Sequence, residues 1–465
     1  MTLSIRSLSP DQQTVEAPEA GSVLAAFTLV APNGTTPSGV IARAIISSGP
    51  ECPALTTVHP GGRVTVTPMK KRLPPATAMN LFNQLTACSA PIPEGALQAR
   101  VLSSVIPASM PENAEDIAIF GDSGCRMKKG SIQACNDSTA WPLATMSNSI
   151  AKQQPDLVIF LGDFFYREVV CPEDLFASCG GSPAPAALPF NDSALSWAAD
   201  VFIPMAATLS AAPIVVVRGN HEACYRGGNG YFIYMDPRDS TEDTCAPVLD
   251  SSGQLVEAPL GFTDPYAIDI NVAKDRSLRL IVIDDSTGDD PSCTPGALLN
   301  EYTEAFRSAE ELAEGSDEYW LLAHRAVVGW HVGDDCGPDG GWINADVQVA
   351  SFGQLAKYDL LLSSHIHLVQ SMNIPGIPGQ LILGNGSTKL EDDVPFSLPT
   401  TGPSFDSSHA YPPPTSGWWD VQFGYAMAHP SQNLSWQMDM QSPVGETFAE
   451  CFISQRNVNC GPTAQ

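Results

Sequence analysis

Short apolar runs, each breaking into a polar loop, set the rhythm of this chain from residue 116 onward. They are Ile117 to Phe120, Leu157 to Leu161, Ile214 to Val217, Leu278 to Ile283, Trp320 to Ala323, Leu360 to Leu362 and Leu381 to Leu383. Runs of this length, bounded by turn residues, predict strands buried on both faces. Between several of them the pattern turns helical, at Trp141 to Lys152, Ser193 to Leu209, Pro295 to Glu314 and Val349 to Lys357. Such alternation predicts an α/β fold with helices on the sheet faces. Catalytic residues then belong where the strands end.

The N-terminal part reads differently. Val23 to Val30, Val40 to Ile46, Val64 to Val66 and Ala99 to Ile106 form short β segments broken by Pro and Gly. They predict a small N-terminal β-rich domain over residues 1–114, with a linker at Pro107 to Glu115 and a catalytic domain over 115–465. Cys171 to Pro189 and Val394 to Ser416, rich in Pro, Gly and Ser, read as surface excursions, and Val421 to Cys451 as closing strands.

The residues just past the strand ends turn a fold into a site. Ile117 to Phe120 runs into Gly121-Asp122-Ser123-Gly124, and Leu157 to Leu161 into Gly162-Asp163-Phe164-Phe165-Tyr166. Ile214 to Val217 leads to Arg218-Gly219-Asn220-His221-Glu222, Trp320 to Ala323 ends at His324, and Leu360 to Leu362 leads through two serines to His365-Ile366-His367. Two carboxylates, an amide, a phenol and three imidazoles make a mixed oxygen and nitrogen ligand set. That set suits two borderline-to-hard cations, such as iron with zinc, manganese or a second iron, and lacks the thiolates of a structural zinc site.

These five elements, in this order and strand context, closely resemble the motif signature of the purple acid phosphatases, within the calcineurin-like metallophosphoesterases. The resemblance covers roughly residues 115 to 440, including Phe423-Gly424-Tyr425 and Leu434 to Trp436. It implies a four-layer α/β/β/α sandwich. It also implies that Asp122, Asp163, Tyr166 and His367 hold one metal, a ferric iron, with Asp163 bridging to a second (iron, zinc or manganese) completed by Asn220, His324 and His365. Most relatives carry a histidine where Gly124 stands, and Tyr166 supplies the missing ligand; a phenolate on ferric iron would give a charge-transfer colour. The implied activity is hydrolysis of phosphate monoesters, with a metal-held hydroxide as nucleophile and His221 as the general acid. Ser364 departs from the family's usual glycine and predicts a slight loop shift. The stretch from Arg325 to His331 also departs, so His331 and Arg126 stand as candidate substrate contacts outside the signature. Arg218 and Arg167 are expected in salt bridges to the acidic surface, and His59, His409 and His429 in structural roles.

Composition narrows the setting. A net charge of -28, from 23 basic and 51 acidic residues, repels polyanions and excludes nucleic acid and anionic membrane as partners. Twelve cysteines without CxxC spacing predict disulfides in an oxidising compartment. Nearest-neighbour pairing, one of very many connectivities, would join Cys52 to Cys88, Cys125 to Cys135, Cys171 to Cys179, Cys224 to Cys245, Cys293 to Cys336 and Cys451 to Cys460. Sequons at Asn33, Asn136, Asn191, Asn385 and Asn433 are compatible with N-glycans on a secreted, extracellular protein. The opening MTLSIRSLSPDQQ lacks the basic and apolar regions of a signal peptide, and no apolar stretch is long enough to span a bilayer. Two other readings stand beside the monoesterase: a phosphodiesterase or nucleotidase using the same metals, and a secreted binding protein with an inactive site.

Overall fold

The computed structural model describes residues 22–47, 51–74, 78–180, 191–238, 245, 248–249, 255–257, 261–272, 276–288, 293–332, 341–392, 397–405, 407–432 and 434–463. Its centre is two sheets packed face to face, with helices outside each, the four-layer order that the resemblance implies. In the first sheet Ile117–Phe120, Leu157–Phe160 and Ile214–Val216 run parallel. In the second, Ser277–Val282, Glu318–Leu322, Leu360–Ser363 and Gln380–Leu383 do the same.

Alternation along each strand builds the layers. Ile117, Ile119, Leu157, Ile159, Val215 and Val217 meet Leu280, Val282, Trp320, Leu322, Leu360 and Leu381 between the sheets. The intervening Ala118, Phe120, Val158, Phe160, Ile214 and Val216 face the other way, onto the helices Leu143–Gln153 and Ala206–Ala211. Ile281, Ile283, Leu321, Ala323 and Leu361 pack likewise under the helices Leu299–Leu312 and Ala345–Ala350. Burial on both faces explains why these strands are apolar throughout. All parallel strands point one way within their sheet, so the loops after 120, 160, 216, 322 and 363 gather at one edge, where open α/β sheets bind their ligands.

The N-terminal residues are β-rich as expected, and they divide between two sheets. Ala54–Val58, Val64–Pro68, Gln98–Val101 and Ser104–Ile106 form a four-stranded sheet of their own. Val23–Val30, Val40–Ser47, Lys70–Arg72 and Leu85–Pro91 instead extend the first large sheet, with Leu29 paired in parallel to Ile214. The segment read as one strand from Ala99 to Ile106 is a hairpin that turns at Leu102, whose φ is 51°. Ser193 to Leu209 is not one helix: Ala194–Trp197, a wide turn over Ala198–Phe202 and Ala206–Ala211 follow one another, with Pro204 unable to continue the ladder. The helix placed at Val349 to Lys357 lies earlier, at Ala345–Ala350, and ends where Ser351 Oγ donates to the Gln348 carbonyl at 2.9 Å.

Five of the six nearest-neighbour disulfides are present: Cys52–Cys88, Cys125–Cys135, Cys171–Cys179, Cys224–Cys245 and Cys451–Cys460. The sixth involves Cys336, which lies outside the described residues. Asn33, Asn136 and Asn191 are exposed. Asn385 is corrected as a glycan acceptor: it is buried, and its amide donates to the Gln422 carbonyl at 2.7 Å. Asn433 lies outside the described residues. No described helix is long and apolar enough to cross a membrane.

Candidate metal centre

The loops after the strand ends bring seven side chains into two touching clusters. In the first, Tyr166 Oη lies 2.6 Å from both Asp122 Oδ1 and Asp163 Oδ2 and 3.0 Å from His367 Nε2. In the second, Asn220 Oδ1 lies 2.9 Å from His324 Nε2 and 3.1 Å from His365 Nδ1. Asp163 joins them, with Oδ2 3.3 Å from His324 Nε2. Asp163, His324 and His365 offer ligand atoms all within 4.8 Å of one another.

Backbone geometry makes this convergence possible at a cost. Asp122, Asp163 and His365 have φ of 55°, 61° and 74°, a left-handed region that non-glycine residues leave about 1–3 kcal/mol uphill and that collects at functional sites. Two glycines clear the space: a Cβ on Gly219 would lie 2.2 Å from Asp163 Oδ1, and one on Gly121 would lie 2.6 Å from Ser364 Cβ. Glu222 stitches two of the loops together. Its carboxylate accepts from the amides of Asp163, Phe164, Phe165 and Gly219 at 2.8–3.0 Å. Asp285 does the same for the fourth loop, accepting from the amides of His324 and Arg325.

The electrostatics of the pocket call for added positive charge. Asp122 and Asp163 are buried, and among the described residues no lysine or arginine forms a salt bridge with either. Burial opposes the charge on Asp163, yet His324 and His221 outweigh it and hold the carboxyl well below the usual range. The same pairing, against the penalty of burial, raises His324 to about 10. Burial, then the charges of Asp122 and Asp163, push the Tyr166 phenol well above its ordinary value. With its oxygen inward, Asn220 faces Asp163 Oδ2, His324 Nε2 and His365 Nδ1; turned over, its nitrogen would donate to all three. An inward amide oxygen suits a cation, and this donor set of oxygens and imidazole nitrogens fits two hard or borderline ions.

Around the clusters, His324 Nδ1 is 2.8 Å from the Leu161 carbonyl and 3.0 Å from Ser364 Oγ, which itself donates to Leu161. A proton is thereby held on Nδ1, and Nε2 is left free for a metal. Serine at position 364 thus adds a contact that glycine lacks. His221 stacks on Tyr166 with ring centroids 3.8 Å apart; its Nε2 faces Asp163 Oδ2 at 4.0 Å and its Nδ1 lies 3.0 Å from Glu168 Oε1. Burial lowers its pKa, with Asp163 opposing. Arg126 Nη1 lies 3.3 Å from His367 Nδ1, and His331 Nε2 lies 3.0 Å from Glu391 Oε2, whose other oxygen accepts from the His367 amide at 3.4 Å. Arg167 and Arg218 are in buried salt bridges with Asp200 and Asp284, inside the protein and not on its acidic surface.

Sequence reasoning missed Glu222, Asp285 and Glu168. Their acceptors serve backbone amides or a histidine on other loops, and spacing along the chain carries no trace of that; for Glu222 the only signal was its place beside His221.

Residues 116–369 match the family model of the calcineurin-like phosphoesterases. Among solved structures, the chain is similar to a purple acid phosphatase, PPD1, from yellow lupin (Lupinus luteus) seeds, with a TM-score of 0.55 and 12% identity over 95% of this chain and 74% of that one. It is similar also to PhoD, with a TM-score of 0.55 and 10% identity over 95% and 92% of the two chains. At these identities the likeness is one of fold. No curated protein matches the sequence.

Proposed function

Because the chain belongs to the calcineurin-like phosphoesterases, we propose that it hydrolyses phosphate monoesters at a two-metal centre, with His221 delivering the proton to the leaving oxygen. The observation that carries this reading is the junction of the two clusters at Asp163, one carboxylate within 3.3 Å of both Tyr166 and His324. Asp122, Asp163, Tyr166 and His367 would hold the first ion, and Asp163, Asn220, His324 and His365 the second. Bound there, two cations supply Lewis acidity, neutralising phosphoryl oxygens and lowering the pKa of water.

The chain's own groups do the rest. Tyr166 and Glu168 grip the His221 ring from its face and from its Nδ1 side. Nε2 is thereby turned toward the centre, where an imidazole can give its proton to a departing alkoxide. Arg126, beside His367, is placed to pair with a phosphoryl oxygen, and His331, farther out, to touch the substrate's edge. Disulfides and exposed sequons at Asn33, Asn136 and Asn191 support secretion and glycosylation.

His221→Ala is expected to keep both metals by elemental analysis and to lose about 10²-fold or more in turnover on esters with poor leaving groups. Unchanged turnover on those esters removes the assignment. Iron in the first site is checked by colour: the iron-loaded protein should absorb in the visible, and Tyr166→Phe should abolish the band while other ligands remain.

A further inference from the structure

The loop after Glu222 carries an aromatic ring to the rim of the centre. Tyr225 is 63% exposed, an aromatic face left in water where contact with a partner would be favourable. The loop beneath it is fixed. Cys224 is bonded to Cys245, the amides of Arg226 and Gly228 donate to the Ala223 carbonyl, and Gly227 donates to the His221 carbonyl at 2.8 Å. Arg226 lies over the Tyr225 ring at 5.4 Å. From there it reaches inward, with Nε 3.7 Å from Glu168 Oε1. Glu168 is the carboxylate that meets His221. An unbroken run of contacts thus links the exposed ring to the proposed proton donor.

A leaving oxygen that takes its proton from His221 must lie beside it, and whatever that oxygen carries extends past His221 toward this rim. Arg226 lies over one face of Tyr225, and most of the residue remains in solvent, within reach of a flat group. The net charge of -28 works against leaving groups that bring further negative charge. Resting on the monoesterase reading above, the geometry points to Tyr225 as a leaving-group subsite that selects phosphate esters of uncharged aromatic alcohols. In the reaction, the oxygen of water bonds to phosphorus, the bond from phosphorus to the aryl oxygen breaks, and the proton from His221 goes to that oxygen. The products are inorganic phosphate and the free phenol.

The test compares kcat/KM for phenyl phosphate and ethyl phosphate in the metal-loaded protein. Tyr225→Ala should lower the phenyl-to-ethyl ratio about three- to tenfold, the range of one aromatic stacking contact, and Tyr225→Phe should restore it. A ratio that Tyr225→Ala leaves unchanged overturns the subsite. Calorimetric binding of phenylphosphonate against methylphosphonate, which have no ester bond to cleave, should show the same preference lost in Tyr225→Ala and regained in Tyr225→Phe. If the native protein turns over neither ester, the monoesterase reading falls by itself, and the phosphonate preference still decides whether the ring recognises an aromatic group.

Discussion

Asp163→Ala is expected to be the most damaging single substitution in this protein for activity. Its two carboxylate oxygens serve different purposes. Oδ2 stands 2.6 Å from Tyr166 Oη and 3.3 Å from His324 Nε2, while Oδ1 accepts from the His221 amide at 2.7 Å. Alanine therefore removes the shared donor of both clusters and loosens the loop that carries Asn220 and His221. Losing an outer partner of a metal ligand commonly costs about 10–100-fold in metal affinity. On the proposed assignment Asp163 is common to both ions, so its loss should exceed that, and hydrolysis of p-nitrophenyl phosphate should fall to the background rate. Elemental analysis after gel filtration, with the assay run beside it, checks both halves. Two retained equivalents of metal in the variant would contradict the shared-ligand role.

For stability the largest effect should come from Glu222→Ala. The carboxylate is buried and accepts four backbone N–H groups from two loops. Each buried donor left without an acceptor costs about 1–3 kcal/mol. Allowing for relaxation and entering water, the variant should lose at least about 3 kcal/mol in urea unfolding. Glutamine should not rescue it. Oε1 and Oε2 each take two amides, so an NH2 group in place of either oxygen sets donor against donor. A Glu222→Gln variant as stable as the native protein would show that water, not the carboxylate, satisfies those amides.

What could be read in the sequence was local. Each ligand-bearing loop follows a strand whose period and length are written in four or five consecutive residues, as at Ile117 to Phe120 before Asp122, and a short apolar run between turn residues has few alternatives. The nearest-neighbour cysteine pairs were legible for the same reason, since short separations leave little freedom. What could not be read was everything held by the backbone across distance. The pairing of Leu29 with Ile214, the four amides on Glu222 and the path from His331 through Glu391 to His367 join segments far apart in the chain. The helix at Ala345–Ala350 was misplaced because the apolar positions around Val349 continue past the residue where Ser351 closes the last turn.

The pairing of Val23–Val30 beside Ile214–Val216 bears on how the protein can be cut. A gene fragment starting at 115 would keep every motif residue yet convert the strand that leads to Asn220 from an interior position into a raw, apolar border. Such a border recruits other chains. Shortened versions made for crystallisation or screening should therefore begin ahead of Val23.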